Sequence, residues 1–290
     1  MRYARFVPVL AAAALAASLL SGCGAERAAG VDVAKAAEAT AAKGTARISV
    51  KIAIKGLGLG SGLTITGTGV TALDRPAMDV TFDLSDLLGI AGILTGTDLK
   101  LRLDGAQLYV DAPDIPTVDI PDGWIAVDLR RLATSFGVDP DAADALFTID
   151  PASQLRLLQA VGRLRKVGHE KIDGVDTTHL QGAVKLGDVL DALPDAKREA
   201  AQKALDALAK IAPAAADTNR VTPIELWVDA DDIARRVRTT TTVPRAAGIN
   251  PGTVTVRYEL SDFGTPLDVS RPDGAEDYTD AIIAHLPHGQ

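Results

Sequence analysis

Residues Arg47 to Lys55 alternate strictly. Ile48, Val50, Ile52 and Ile54 fall on one face, and Ser49, Lys51 and Lys55 on the other. A period of two over nine residues is the pattern of a strand covered on one side only, which is the habit of antiparallel sheets. The pattern recurs. Met78, Val80, Phe82 and Leu84 alternate with Asp79, Thr81 and Asp83, and Val254, Val256, Tyr258 and Leu260 share a face. Leu63–Leu73, Lys100–Leu103 with Leu101 facing inward, Gln107–Val110, Trp124–Val127, Val167–Ile172, Val175–Leu186, Ile224–Val228 and Ala234–Val243 also read as strands. Asp104-Gly105 and Asp173-Gly174 sit between pairs of these runs, a strong hairpin signal. The glycine-rich Gly56–Gly62 reads as another loop.

Helical patterns are few. Val31–Lys43 is rich in alanine and closed by Gly44. A segment starting at Asp150-Pro151 and running to about Arg165 places Leu155, Leu158, Val161 and Leu164 on one face, with aspartate as cap and proline at the first helical position. Pro194–Ile211 places Leu205, Leu208 and Ile211 together. Helices do not alternate regularly with strands, so a parallel βαβ architecture is not expected. The class predicted is α+β, with one domain over residues 32–290.

The N-terminus has a different character. Arg2 and Arg5 precede an uncharged apolar run, Val7–Leu20, and then Leu20-Ser21-Gly22-Cys23. Fourteen apolar residues are too few for a bilayer core, which needs about 20; a charged start, a short apolar middle and small residues at the cut describe a secretory signal. Leu-Ser-Gly-Cys resembles the lipobox of bacterial lipoproteins. That resemblance implies removal of residues 1–22, acylation of Cys23, and a short tether over 23–31. The alternative is an ordinary signal with a chance cysteine. Cys23 is the only cysteine in the chain, so no intramolecular disulfide can form, although an exported compartment would permit one.

Charge and composition exclude several roles. The formal charge is −8 and the pI near 5.0, and the charge falls to −10 once the two signal arginines are gone. This argues against nucleic acid, whose binders cluster Lys and Arg, and against peripheral attraction to anionic headgroups. Apolar residues make up 47% but aromatic ones only 4%, so any apolar surface is aliphatic.

The sequence offers no catalytic constellation, and the expectation is a protein that is not an enzyme and needs no cofactor. His169 and His179 fall on adjacent strands where they could face each other, yet two histidines without carboxylates make a poor metal site; sheet residues facing water is the plainer reading. Gly58-Leu59-Gly60-Ser61-Gly62 fits neither a nucleophile elbow nor a phosphate loop. Asp229, Asp231 and Asp232 lack the glycine and closing glutamate of a calcium loop, and Asp139, Asp141 and Asp144 read as helix-capping residues. Leu84–Thr95 holds Leu87, Leu88, Ile90, Ile93 and Leu94 with no charge after Asp86. It is either a short core helix or buried crossover, or else an apolar lid or a surface that touches lipid.

Three longer stretches carry a family resemblance. Gly123-Trp124-Ile125-Ala126-Val127-Asp128-Leu129, Val167–His179 and Val256-Arg257-Tyr258-Glu259-Leu260-Ser261-Asp262-Phe263-Gly264-Thr265-Pro266, with the lipobox, resemble actinobacterial lipoproteins of the LppX/LprG type, which are similar in shape to LolA and LolB. The resemblance implies a curved antiparallel half-barrel with helices on its concave face around an apolar cavity. It also implies an acylated lipid or glycolipid ligand, attachment to the outer face of the cytoplasmic membrane, and a monomer served by a transport partner that the sequence does not identify. On that reading Ile48, Val50, Ile52, Ile54, Met78, Val80, Phe82, Leu84 and Leu101 line the cavity from the sheet. Leu155, Leu158, Leu205 and Leu208 line it from the helices. The alternation is equally consistent with a closed core, in which case the chain would be an envelope interaction or sensor module.

Overall fold

The computed structural model describes residues 33–58, 60, 62–89, 97–112, 121–135, 137, 164–211, 216–243, 245 and 250–285. Cys23, Ile90, Ile93, Leu94, Leu155, Leu158, Ser61 and the Asp139–Asp144 cluster lie outside these residues.

Twelve strands form one sheet: β1 (Thr45–Gly56), β2 (Leu63–Ala72), β3 (Ala77–Asp83), β4 (Asp98–Asp104), β5 (Gln107–Asp111), β6 (Trp124–Asp128), β7 (Arg165–Ile172), β8 (Val175–Lys185), β9 (Val221–Asp229), β10 (Ala234–Val243), β11 (Gly252–Ser261) and β12 (Glu276–Asp277). Their order is β12-β6-β5-β4-β3-β2-β1-β11-β10-β9-β8-β7. Every pairing is antiparallel except the short β12–β6 contact. The sheet is curved and does not close. Among the described residues six helices accompany it: α1 (Val33–Ala41), α2 (Ser85–Gly89), α3 (Leu129–Ser135), α4 (Leu186–Ala192), α5 (Asp195–Ile211) and α6 (Thr279–His285).

The alternation read from the sequence sets the register. Val50 lies opposite Gly67 on β2 and Tyr258 on β11, and Ile52 lies opposite Ile65 and Val256. Val80 faces Leu101, and Leu101 faces Val110. Directly opposed residues share a face, so one mostly apolar surface runs from β6 to β8, with Thr71 on β2 and Thr239 and Thr241 on β10 among its members. The Asp173-Gly174 hairpin has both residues at positive φ, 48° and 83°, as the twist of a two-residue turn requires.

Curvature has a local cause at β2. A Cβ on Gly69 would stand 2.0 Å from the Asp79 carbonyl oxygen and 2.7 Å from the Val80 Cα, and one on Gly67 would meet the Phe82 ring at 2.6 Å. The neighbouring strand therefore folds toward the face these two glycines leave empty. Glycine within a strand marks such a bend, and the apolar face is the concave one.

Helix α1 covers part of that face. Val33, Ala36 and Ala37 pack on Leu180, Ile224, Leu226, Val228 and Val237, small side chains allowing the helix to lie close. Thr40 fastens it: its hydroxyl donates to the Ala36 carbonyl at 2.6 Å and accepts from the Ala234 amide at 2.9 Å. Beyond β11 the chain crosses to the far edge of the sheet. There Ala275 is buried with Tyr109 and Ala126, and Arg131 of α3 pairs with Asp277 and Asp280.

Candidate functional site

The concave face has two halves that differ in cover. Under α1 the side chains are dry: Leu180 is 0% exposed, Ile224 and Leu226 1%, Val237 3%. Across β5, β4, β3, β1 and β11 they are not. Val110, Leu108, Leu101, Leu103, Phe82, Met78, Ile48, Val50, Ile52, Val256 and Tyr258 remain partly exposed although their neighbours are also apolar. Val80, at 1%, and Ile54, at 4%, are the buried exceptions among the sheet residues assigned to the cavity. No polar side chain interrupts this surface on β1, where the inward positions are Ala46, Ile48, Val50, Ile52 and Ile54. At one end it is bounded by Ile54, Leu63 and Ile65, with Ile52, Leu57, Phe82, Leu84, Leu87 and Val254 packed around them. A run of positive φ at Gly56, Leu57, Gly58, Gly60 and Gly62 turns the β1–β2 loop beside this cluster.

Leu84–Thr95 is seen in its first part. Leu84 and Leu87 are partly buried against the Ile54 cluster, and Leu88 is 5% exposed. Helix α2 thus sits at the rim of the concave face. Leu205 packs against Leu186, Leu190, Leu193 and Ala201 between α4 and α5, while the side chain of Leu208 is outside the description. Helix α4 reaches the sheet core through Val189.

On β7–β10 the convex face carries a polar constellation. His169 and His179 do not face each other: the tight turn pairs Ile172 with Val175, and from there the register sets His169 opposite Thr178 and His179 opposite Gly168. Being one position out of step, the two imidazoles take opposite faces of the sheet. His179 instead stacks on Trp227, centroids 4.1 Å apart and planes 8° from parallel, and its Nε2 lies 2.9 Å from Glu225 Oε2. The Trp227 indole donates to Glu170 Oε2 at 2.7 Å, Arg236 bridges Glu170 and Glu259, and Arg238 pairs with Glu225. Burial pushes the Glu170 carboxyl up, but the indole N–H and Arg236 outweigh it and hold the group below its ordinary value. Sequence reading missed this constellation, whose members come from several strands. The Asp229 carboxylate accepts from the amides of Asp231 and Ile233 and from Arg235, which makes the acidic stretch a braced turn. Among the described residues no group of three His, Cys, Asp or Glu could hold a metal ion, and no helix is long and apolar enough to cross a membrane.

No family model matches the chain. A curated relative, an uncharacterized 31.2 kDa protein of the rplA–rplJ intergenic region of Streptomyces griseus, is 26% identical over 156 residues, 53% of this chain and 47% of the relative. The chain thus spans about half the length of the curated relative it matches. Among solved structures, the lipoprotein LppX of Mycobacterium tuberculosis covers 82% of this chain and 98% of its own, at 18% identity and TM-score 0.42. LprF of Mycobacterium bovis covers 83% and 97%, at 11% and 0.39. The LolA-superfamily protein NE2245 of Nitrosomonas europaea covers 79% and 92%, at 10% and 0.26. The chain is similar in fold to LppX and LprF. These likenesses concern fold alone.

Proposed function

We propose that this chain is a membrane-tethered lipoprotein that holds an acylated lipid or glycolipid against its concave face and carries it within the cell envelope. The observation that supports this reading is the half-covered apolar surface across β5–β4–β3 and β1–β11, beside a fully dry core under α1. A domain with a closed core would cover both halves alike. Aliphatic side chains without polar partners recognise acyl chains by non-directional burial, at about 0.8 kcal/mol per methylene. They impose little selectivity on chain identity, so discrimination among cargoes falls to whatever meets the headgroup. The lipobox-like Leu20–Cys23 supports acylation of Cys23, and two or more acyl chains anchor a protein stably. A protein so held would need no charge complementarity to stay at the membrane.

Filling the surface tests the proposal. Val50 faces Gly67 across one strand pair and Tyr258 across the other, so tryptophan there projects into the concave space between Tyr258 and the Phe82 ring that lies over Gly67. Val50→Trp should fold, with an unchanged far-ultraviolet dichroism spectrum, and load less lipid than wild type when both are purified from the same host. A folded variant with undiminished loading would contradict the assignment of this surface.

A further inference from the structure

Between α1 and β3 the partly exposed part of the concave face has the form of a trough with closed ends. Its floor is Ile48, Val50 and Ile52 of β1 and Val256 of β11, all partly exposed. Its walls are aromatic. The Phe82 ring lies over Gly67, which faces Val50 from β2; Tyr258 faces Val50 from β11 and packs against the core under α1. Two strand spacings, about 10 Å, separate the walls, which leaves room for one acyl chain between the rings and not for two abreast. At one end Ala46, Leu73 and Leu260 are buried, with Phe263 packed against them. At the other Ile54, Leu63 and Ile65 are buried, with Leu57 and Val254 among the side chains packed against them. Leu57 is held there at some cost. Its φ is 56°, a conformation that bulky side chains rarely adopt, and its amide donates to the Pro251 carbonyl at 3.2 Å. A Cβ on Gly252 would stand 2.9 Å from Leu57 Cδ2, so the leucine lies over the start of β11 and closes that end of the floor.

From this geometry we infer that the trough takes one acyl chain of the cargo along β1, and that Leu57 and Phe263 set the longest chain it accepts. The inference rests on the carrier reading and goes beyond it: burial along the floor does not tell one chain from another, whereas closed ends do. A peptide segment would bring backbone donors and acceptors to a floor that offers them no partner, and an acyl chain brings none. From Ala46 to Ile54 the strand rises at most about 27 Å, at about 3.4 Å per residue. An extended acyl chain advances about 1.3 Å per carbon, given carbon–carbon bonds of about 1.5 Å, so the limit is about 20 carbons. Up to that length each added methylene is buried and tightens binding about fourfold. Beyond it a further carbon must displace a buried side chain or stay in water, and the gain stops.

The test uses the full chain carrying Cys23→Ser, which has no anchor lipid of its own. After delipidation it is offered an equimolar series of saturated lysophosphatidylcholines, from about 12 to about 26 carbons. Native mass spectrometry then reads the share of protein bound to each. Occupancy should climb with chain length and level off or fall at or below about 20 carbons. Leu57→Gly removes the closing side chain at a φ that glycine adopts without strain, so the turn is kept. It should move the break to chains about two or three carbons longer. Ile52→Phe thickens the same end and should move the break to shorter chains. Far-ultraviolet dichroism unchanged from wild type establishes that each variant is folded. A series without a break, or a break unmoved in either folded variant, would overturn the inference. No bound lipid of any length would instead refute the carrier reading on which it rests.

Discussion

If half of the concave face is a binding surface and half a core, truncation should cost differently in the two halves. Leu226 is 1% exposed, beneath α1 and between Leu180 and Val237. Removing its three outer carbons loses their transfer energy and leaves a cavity that a packed helix cannot fill, and such changes cost about 2–5 kcal/mol. Because α1 is fastened to the sheet by the Thr40 hydroxyl, which accepts from the Ala234 amide, relaxation is limited and about 3–4 kcal/mol is expected. Ile52 presents a comparable number of carbons, but its side chain is only partly covered. Its truncation forfeits part of the transfer term and adds no new cavity, so about 1 kcal/mol is expected. For a domain of this size a loss of about 1 kcal/mol moves Tm by about 2–4 °C. Leu226→Ala should therefore melt about 6–16 °C below wild type and Ile52→Ala about 2–4 °C below, followed by circular dichroism on delipidated protein. Added lipid should raise the Tm of wild type and raise that of Ile52→Ala by less. An Ile52→Ala loss as large as that of Leu226→Ala without lipid would mean a closed core on both halves, and the division of the face would be wrong.

Other consequences follow from the geometry. Gly69→Ala puts a methyl 2.0 Å from the Asp79 carbonyl oxygen; backbone must move, and a lower urea midpoint equivalent to about 1–3 kcal/mol is expected. The Asp277 carboxyl accepts from Thr279 and pairs with Arg131, which hold it down to about 2. Its folded pKa is depressed, so the stabilisation is present above about pH 4 and is lost as pH falls toward about 2. Asp277→Asn should thus lower Tm at neutral pH and differ less and less from wild type across that acid window. Trp227→Phe removes the bond to Glu170 and leaves the His179 stack; because half of the Glu170 side chain is exposed and water can replace the indole, the expected loss is about 1 kcal/mol by urea denaturation.

Much of the sheet was legible because its signal is local. Ile48 to Ile54 alternate within a single short run, and Asp173-Gly174 announces its turn, so β1, β7 and β8 follow from neighbours in sequence. What was hidden is set by pairing at a distance. Nothing in residues 45–56 says that β11 lies beside them, and the placing of Val50 opposite Tyr258 exists only through that register. Glu170 and Trp227 are 57 positions apart and meet because β7, β8 and β9 are neighbours. Helices α3, α4 and α6 and strand β12 are too short to show a period; α3 begins where the Asp128 carboxylate accepts from the Arg130 and Arg131 amides. For the histidines adjacency of strands was a poor guide, because face depends on the count outward from the turn, and a difference of one position reverses it. On the concave face alternation located the apolar side chains but could not weigh their cover, which depends on where α1 stops.

Whether the concave face carries lipid is answered most simply by native mass spectrometry on the chain without Cys23, purified from its own host or a related actinobacterium. A reproducible added mass that extracts as an acylated lipid is expected. A bare protein mass, unchanged after incubation with host lipid extract, would contradict the carrier reading.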